Sequence, residues 1–165
     1  EPVAWLTYPA LDFLQSRLRP SFRVFEYGSG YSTLWFSHRV AEVVSVETED
    51  EWARTLANMV GPNVRLIARS LSDGFVSEAT RDHGLFDLIL IDGPDRLGCA
   101  PFAIRALSTQ GVIVWDNTDG PDWELIRDGM LSHGFREISF SGMTPQEVAS
   151  SRTTFFYRRD NCLGI

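Results

Sequence analysis

Sixteen residues, Phe22 to Ser37 (FRVFEYGSGYSTLWFS), constrain the fold of this chain more than any other stretch. Val24, Phe25 and Tyr27 carry the β-branched and aromatic side chains of a strand, and Ser32, Leu34, Trp35 and Phe36 open a helix with an apolar side. Between them lies Glu26-Tyr27-Gly28-Ser29-Gly30. Glycine has no Cβ, so Gly28 and Gly30 permit a sharp turn and let a ligand approach the main chain at the carboxyl end of the strand. Strand, glycine turn and helix in that order open an α/β sheet whose ligands bind at the strand ends. Glu26 lies inside an otherwise apolar strand, where a carboxylate needs a partner, and a ligand is favoured over backbone amides.

The rest of the chain keeps the same alternation. Pro9 to Leu18 reads as an N-terminal helix, Glu42 to Glu47 as a second strand ending in an acid, Asp50 to Met59 as a helix and Asn63 to Ala68 as a third strand. A weaker helical pattern covers Phe75 to His83. Phe86 to Ile91 (FDLILI) is an almost continuous apolar run, the mark of a strand buried on both faces of a parallel sheet. It ends in Asp92-Gly93-Pro94-Asp95-Arg96, followed by a helix from Ala100 to Leu107. Gly111 to Trp115 is a fifth strand ending in Asp116-Asn117-Thr118-Asp119, and Asp122 to His133 is a helix stopped by Gly134. Phe135 to Phe140 and Thr153 to Arg159 have no helical pattern between them and form an antiparallel pair. A chain of 165 residues suits one domain, with a helical lead over 1–20, a core over 21–159 and a tail over 160–165.

Composition excludes several partners. A net charge of −7 argues against a broad phosphate-binding face and so against duplex nucleic acid as the main substrate. No apolar run approaches the roughly 18 residues of a membrane span, so neither membrane nor nucleic acid is expected as a partner, and a cytoplasmic location is. The chain begins at Glu1 rather than methionine, which leaves room for a lost targeting segment; nothing within it reads as a signal peptide. Cys99 and Cys162 lack metal or redox spacing and are expected to be reduced thiols. His38, His83 and His133 show no ligand spacing and are expected at the surface or at helix ends. All 15 basic residues are arginine, so Schiff-base chemistry and a lysine base are absent.

A dinucleotide fingerprint would place a third glycine where Thr33 stands. The acid before the turn, the G-x-G and the acid ending the second strand instead resemble class I S-adenosylmethionine-dependent methyltransferases. That resemblance runs from Phe22 to Arg159. It implies a Rossmann-like, mostly parallel seven-stranded sheet with helices on both faces and an antiparallel closing strand. It also implies that Glu26, Gly28, Ser29 and Gly30 surround the methionine portion of the cofactor, Glu47 receives the ribose hydroxyls, and Ser70 and Leu71, with Asp73 nearby, adjoin the adenine. Asp92 then faces the methionine amino group and the reacting centre.

Gly30-Tyr31-Ser32 and the Asp-Asn after the fifth strand are similar to the catechol O-methyltransferase group, which adds Tyr31 and Ser32 to the cofactor site. In that group the positions matching Asp92, Asp116 and Asn117 bind magnesium. The glycine turn is shorter here, and the group's catalytic lysine falls at about Asp95. The chain is also similar to small bacterial methyltransferases with a Y-P-A-x-D-F-L start, as at Tyr8 to Leu14, and an N-C-L-G-I tail, as at Asn161 to Ile165.

The chemistry expected is methyl transfer to a hydroxyl of a small molecule or sugar. Asp92, Asp95 and Asp116 are the candidate catalytic acids at the strand ends; Asp92 or Asp116 acts as base or metal ligand, while Asp95 and Arg96 shape the acceptor pocket together with Ser141 to Arg152. A second reading makes Asp116, Asn117 and Asp119 turn caps only. Trp5 and Tyr8 are candidates for a lid or for a clamp on the sheet edge, and Tyr31 for contact with a sulfonium cation. The alternatives to a methyltransferase are a nicotinamide oxidoreductase, disfavoured by Thr33 and by the closing strands, and a cofactor-binding module without catalysis.

Overall fold

The computed structural model describes residues 2–146 and 148–165, so Glu147, within the Ser141 to Arg152 segment, lies outside the described residues. Fourteen elements run in the order α1 (Tyr8–Gln15), β1 (Arg23–Tyr27), α2 (Tyr31–Ser37), β2 (Glu42–Glu47), α3 (Asp50–Ala57), β3 (Val64–Ala68), two 3-10 turns (Leu71–Asp73 and Glu78–Thr80), β4 (Phe86–Ile91), α4 (Arg96–Ala106), β5 (Leu107–Trp115), α5 (Trp123–Ser132), β6 (Arg136–Met143) and β7 (Ser150–Tyr157). The strands form one seven-stranded sheet in the order β3-β2-β1-β4-β5-β7-β6. Every pair from β3 to β5 is parallel, and β7 runs antiparallel to both β5 and β6.

The apolar run of β4 explains the layering. Successive side chains point to opposite faces, so Ile89 and Ile91 join Phe25, Tyr27, Trp115 and the buried faces of α4 and α5 on one side. Leu88 and Leu90 join Val24, Val114, Phe155 and the buried faces of α1 and α2 on the other. The tail closes the second layer: Leu163 is buried, and the Cys162 amide donates to the Gln110 carbonyl at 2.7 Å. Both cysteines are free thiols, as expected. Among the described residues no helix is long and apolar enough to cross a membrane.

The structure corrects three local expectations. Phe75 to His83 is not a helix but a loop holding one 3-10 turn, flanked by Gly74 and Gly84 at positive φ. That loop turns Glu78 inward, where it pairs with Arg69, Arg81 and His83 at 3.1, 3.1 and 3.0 Å. His83 is therefore buried rather than a surface residue. Helix α4 begins at Arg96, four residues before Ala100 and with Pro101 inside it, because Asp95 caps it there.

Candidate active site

Strand order reverses between β1 and β4: β1 leads sideways to β2 and β3, β4 to β5. Open α/β sheets bind ligands at that switch, beyond the carboxyl ends of the strands. A cleft of about 950 Å³ lies there, lined on one half by Gly28, Ser29, Gly30, Glu47 and Trp52, and on the other by Asp92, Arg96, Asp116 and Asn117.

The glycine turn fits its place for a steric reason. Gly28 has φ +88, and a Cβ on it would stand 2.9 Å from the Gly93 Cα, so the turns after β1 and β4 touch backbone to backbone. Around Gly30, in contrast, a Cβ would meet nothing within 4 Å, leaving open room above the turn.

Beneath the turn sits Glu26, fully buried. Its Oε2 accepts bonds from the Thr33 hydroxyl and, at 2.8 Å, from Ser45 Oγ, while Oε1 has no hydrogen-bond partner among the described residues. Burial pushes the carboxyl up to about 7, against the pull of the Ser32, Thr33 and Ser45 hydroxyls. Thr33, the residue that breaks the dinucleotide fingerprint, also accepts the Gly30 N–H at 2.9 Å. It ties the turn to Glu26.

Glu47 ends β2, and its carboxylate is held by backbone amides. Oε2 accepts the Ser29 N–H at 2.9 Å, and Oε1 those of Thr48 and Glu49 at 2.7 and 3.0 Å. Ser29 Oγ shares a 2.6 Å bond with Ser45 Oγ, and the Trp52 indole donates to the Ser29 carbonyl at 2.8 Å. Ser45 and Trp52 are missed by sequence reading. A serine in the middle of VVSVE was a usable signal, since a buried hydroxyl needs a partner; the indole gave none. Tyr31 opens α2 and stacks on Trp5 with ring centroids 5.1 Å apart, both lining the cleft. Ser32 lines it too.

At the other half, Asp92 and Asp116 end adjacent strands. Asp92, a quarter of its side chain exposed, is pushed up to about 8, first by desolvation and then by the Asp116 charge, with Arg96 pulling the other way. Asp116 is buried and also raised, chiefly by desolvation, while a 2.6 Å bond from Thr153 Oγ1 opposes the shift. Asn117 has φ +53 and donates through Nδ2 to Ser151 Oγ at 3.1 Å. Thr144, Gln146, Ser150 and Ser151 of the closing hairpin complete this wall.

Two sets of candidates stand elsewhere. Ser70 and Leu71 are exposed past β3 and do not line this cleft; Ser70 Oγ caps a 3-10 turn, accepting from the Asp73 N–H at 3.2 Å. Asp95, at φ 49, caps α4 by accepting the Gly98 N–H at 3.1 Å and lines a smaller neighbouring cleft.

Magnesium does not fit the residues implied for it. The Arg96 guanidinium stands among all three, donating through Nη2 to Asp92 Oδ1 and Asn117 Oδ1, each at 2.9 Å, and through Nη1 to the Asp116 carbonyl. A divalent ion there would meet a fixed positive charge.

No protein-family model and no curated protein matches the chain. Solved structures do. The O-methyltransferase TomG from Streptomyces achromogenes, involved in tomaymycin synthesis and solved with S-adenosylmethionine, is 23% identical, with a TM-score of 0.67 over 88% of this chain and 77% of its own. A SAM-dependent O-methyltransferase from Thermotoga maritima is 16% identical, with a TM-score of 0.70 over 94% of this chain and 67% of its own. An rRNA methylase from Streptococcus thermophilus is 12% identical, with a TM-score of 0.66 over 94% of this chain and 99% of its own. The chain has the Rossmann-like fold of class I S-adenosylmethionine-dependent methyltransferases.

Proposed function

We propose that the protein is an S-adenosylmethionine-dependent methyltransferase acting on a hydroxyl of a small polar molecule. One observation carries the reading: the amides of the glycine turn are already engaged within the chain, one of them by an acid. The Ser29 N–H goes to Glu47, and the Gly30 N–H to Thr33, which in turn bonds Glu26. A nicotinamide dinucleotide needs such amides free for its pyrophosphate, and two carboxyl groups would repel it. A cofactor whose methionine part carries an ammonium and a sulfonium suits the same surface, and Glu26 Oε1 is a buried acceptor still without a partner among the described residues.

Bound there, S-adenosylmethionine would supply a methyl group already activated on sulfur. Glu26 and the Gly28 to Ser32 turn would hold its methionine end, Glu47 its ribose, and Tyr31 with Trp5 would cover it. The adenine remains assigned to Ser70 and Leu71 by resemblance alone.

The chain's own task is to hold an acceptor in line and take its proton. Asp92 is the carboxyl of the pair open to the cleft, and its raised pKa makes its ionised form a better base than an ordinary carboxylate. Asp116, buried beside it, sustains that basicity through like charge. The hydroxyl, amide and aromatic lining from Ser150, Ser151, Thr144, Gln146 and Trp5 suits a sugar or another polyhydroxylated acceptor. The net charge of −7 and the acids around the cleft speak against a nucleic acid.

Calorimetry with S-adenosylmethionine, S-adenosylhomocysteine and NAD tests the cofactor: the first two are expected to bind, and binding of NAD alone overturns the reading. A methyl-transfer screen against sugars, phenols, amines and an RNA oligonucleotide tests the acceptor, with methyl recovered on a small-molecule hydroxyl as the expected result.

A further inference from the structure

We propose that Arg96 is the resident cation of this site: its guanidinium fills the space between β4 and β5 that a divalent metal would need, and positions Asp92, Asp116 and Asn117 without one. The inference concerns how the acceptor half is held and rests on the methyltransferase reading only for the reaction it serves.

The geometry is specific. Arg96 lies four residues after Asp92, at the first position of α4, so its side chain returns over the end of β4 and crosses to the end of β5. Nε donates to the Gly93 carbonyl at 3.1 Å, Nη2 to Asp92 Oδ1 and Asn117 Oδ1 at 2.9 Å each, and Nη1 to the Asp116 carbonyl. Four of the five guanidinium protons thus have acceptors on both strand ends. The planar fork fixes their directions in a way that a flexible ammonium could not. One proton on Nη1 has no acceptor among the described residues, and Arg96 lines the cleft.

Oxygen donors from a carboxylate, a carbonyl and a side-chain amide, with space for water, are what a hard divalent cation takes. Here the same oxygens are engaged by a permanent charge belonging to the chain, which no chelator removes. The consequence for the acceptor differs as well. A metal would bind the hydroxyl oxygen and lower its pKa directly, whereas Arg96 offers at most one N–H, so removal of the proton rests on Asp92.

The test is a Mn2+ titration followed by the paramagnetic signal of the free ion, run on the full chain and on Arg96→Ala. The wild type is expected to bind no Mn2+ at millimolar concentrations, and Arg96→Ala to gain one equivalent, because the substitution bares three oxygens and space for water. One equivalent bound by the wild type, or none gained by a variant whose circular dichroism and melting are those of a folded protein, overturns the proposal. If Arg96→Ala does not fold, the wild-type titration decides alone. Calorimetry of S-adenosylmethionine on the wild type is a separate arm: failure there removes the methyltransferase reading and leaves the metal result standing.

Discussion

Glu26→Gln tests whether the cradle under the glycine turn is built for a cation. The carboxyl is fully buried, with Oε1 unpartnered among the described residues, and its pKa is raised from 4.5 to about 7, mainly by desolvation. In the unfolded chain the group ionises near its ordinary value. Between the two values the folded protein therefore holds a proton that the unfolded chain has released, and stability falls as pH rises through that window. At about 1.4 kcal/mol per pH unit, ionising Glu26 costs the fold about 3 kcal/mol above its folded pKa, of which about 2.5 kcal/mol is lost between about pH 5 and about pH 8. Glutamine keeps the shape, does not titrate, and its amide oxygen still accepts from Thr33 and Ser45. The variant's stability relative to wild type is thus expected to rise by about 2.5 kcal/mol over that range. Urea unfolding of both proteins at the two pH values measures it. S-adenosylhomocysteine, which keeps the ammonium, should recover more stability for the wild type than for the variant at the higher pH. Parallel pH profiles for the two proteins would refute the reasoning, since Glu26 would then titrate alike folded and unfolded.

Three further outcomes follow from the same geometry. Gly28→Val should abolish S-adenosylmethionine binding, because a side chain at φ +88 meets Gly93 at 2.9 Å and distorts the cradle; native affinity by calorimetry would mean that the cofactor lies elsewhere. Glu47→Ala should weaken that binding by about 1 to 3 kcal/mol and also destabilise the loop, since the Ser29, Thr48 and Glu49 amides lose their acceptor; a folded variant with unchanged affinity removes Glu47 from the site. Methyl transfer should rise with pH and level off above about 8 as Asp92 ionises, and Asp92→Asn should cut the rate by about 10²- to 10⁴-fold; a flat profile, or a variant with full rate, transfers the base to another group.

The strand, glycine turn and helix on one side of the cleft are legible in the sequence because their signals are local. A strand, a glycine turn and a helix occupy sixteen consecutive residues, and FDLILI identifies the central strand unaided. The other side of the cleft, around Asp92 and Asp116, is not, because its contacts are made across the sheet. Asp92, Asp116 and Asn117 were correctly brought together, yet the spacing of Arg96 from Asp92 does not reveal that its guanidinium crosses to Asp116 and Asn117. Asp95 looked like an acid at a strand end, and only its left-handed backbone and the 3.1 Å bond from Gly98 turn it into a helix cap. Thr33 departs from the dinucleotide motif in the sequence, and in the structure it links Gly30 to Glu26. The loop before β4 misled for another reason: Phe75, Val76 and Ala79 carry a helical apolar pattern, but Gly74 and Gly84 at positive φ and the inward turn of Glu78 outweigh it.

The acceptor half also depends on parts of the chain that the parallel core does not supply. Thr153 of β7 donates to Asp116 Oδ1 at 2.6 Å while its Oγ1 accepts the Thr7 N–H at 3.2 Å, so the N-terminal segment, the closing hairpin and the buried acid form one chain of bonds. Thr7 Oγ1 donates to the Phe140 carbonyl at 3.2 Å, which fastens the same segment to β6, two residues along from Trp5. Asn117 and Thr118 are held by Ser151, Arg152 and Thr154 in the same way. The hairpin thus bonds Asp116 and Asn117 directly, and the residues before α1 reach Asp116 only through Thr153. On the proposed reading, acceptor choice rests on the closing hairpin and the residues before α1, and Trp5, stacked on Tyr31, stands where the glycine turn meets that wall.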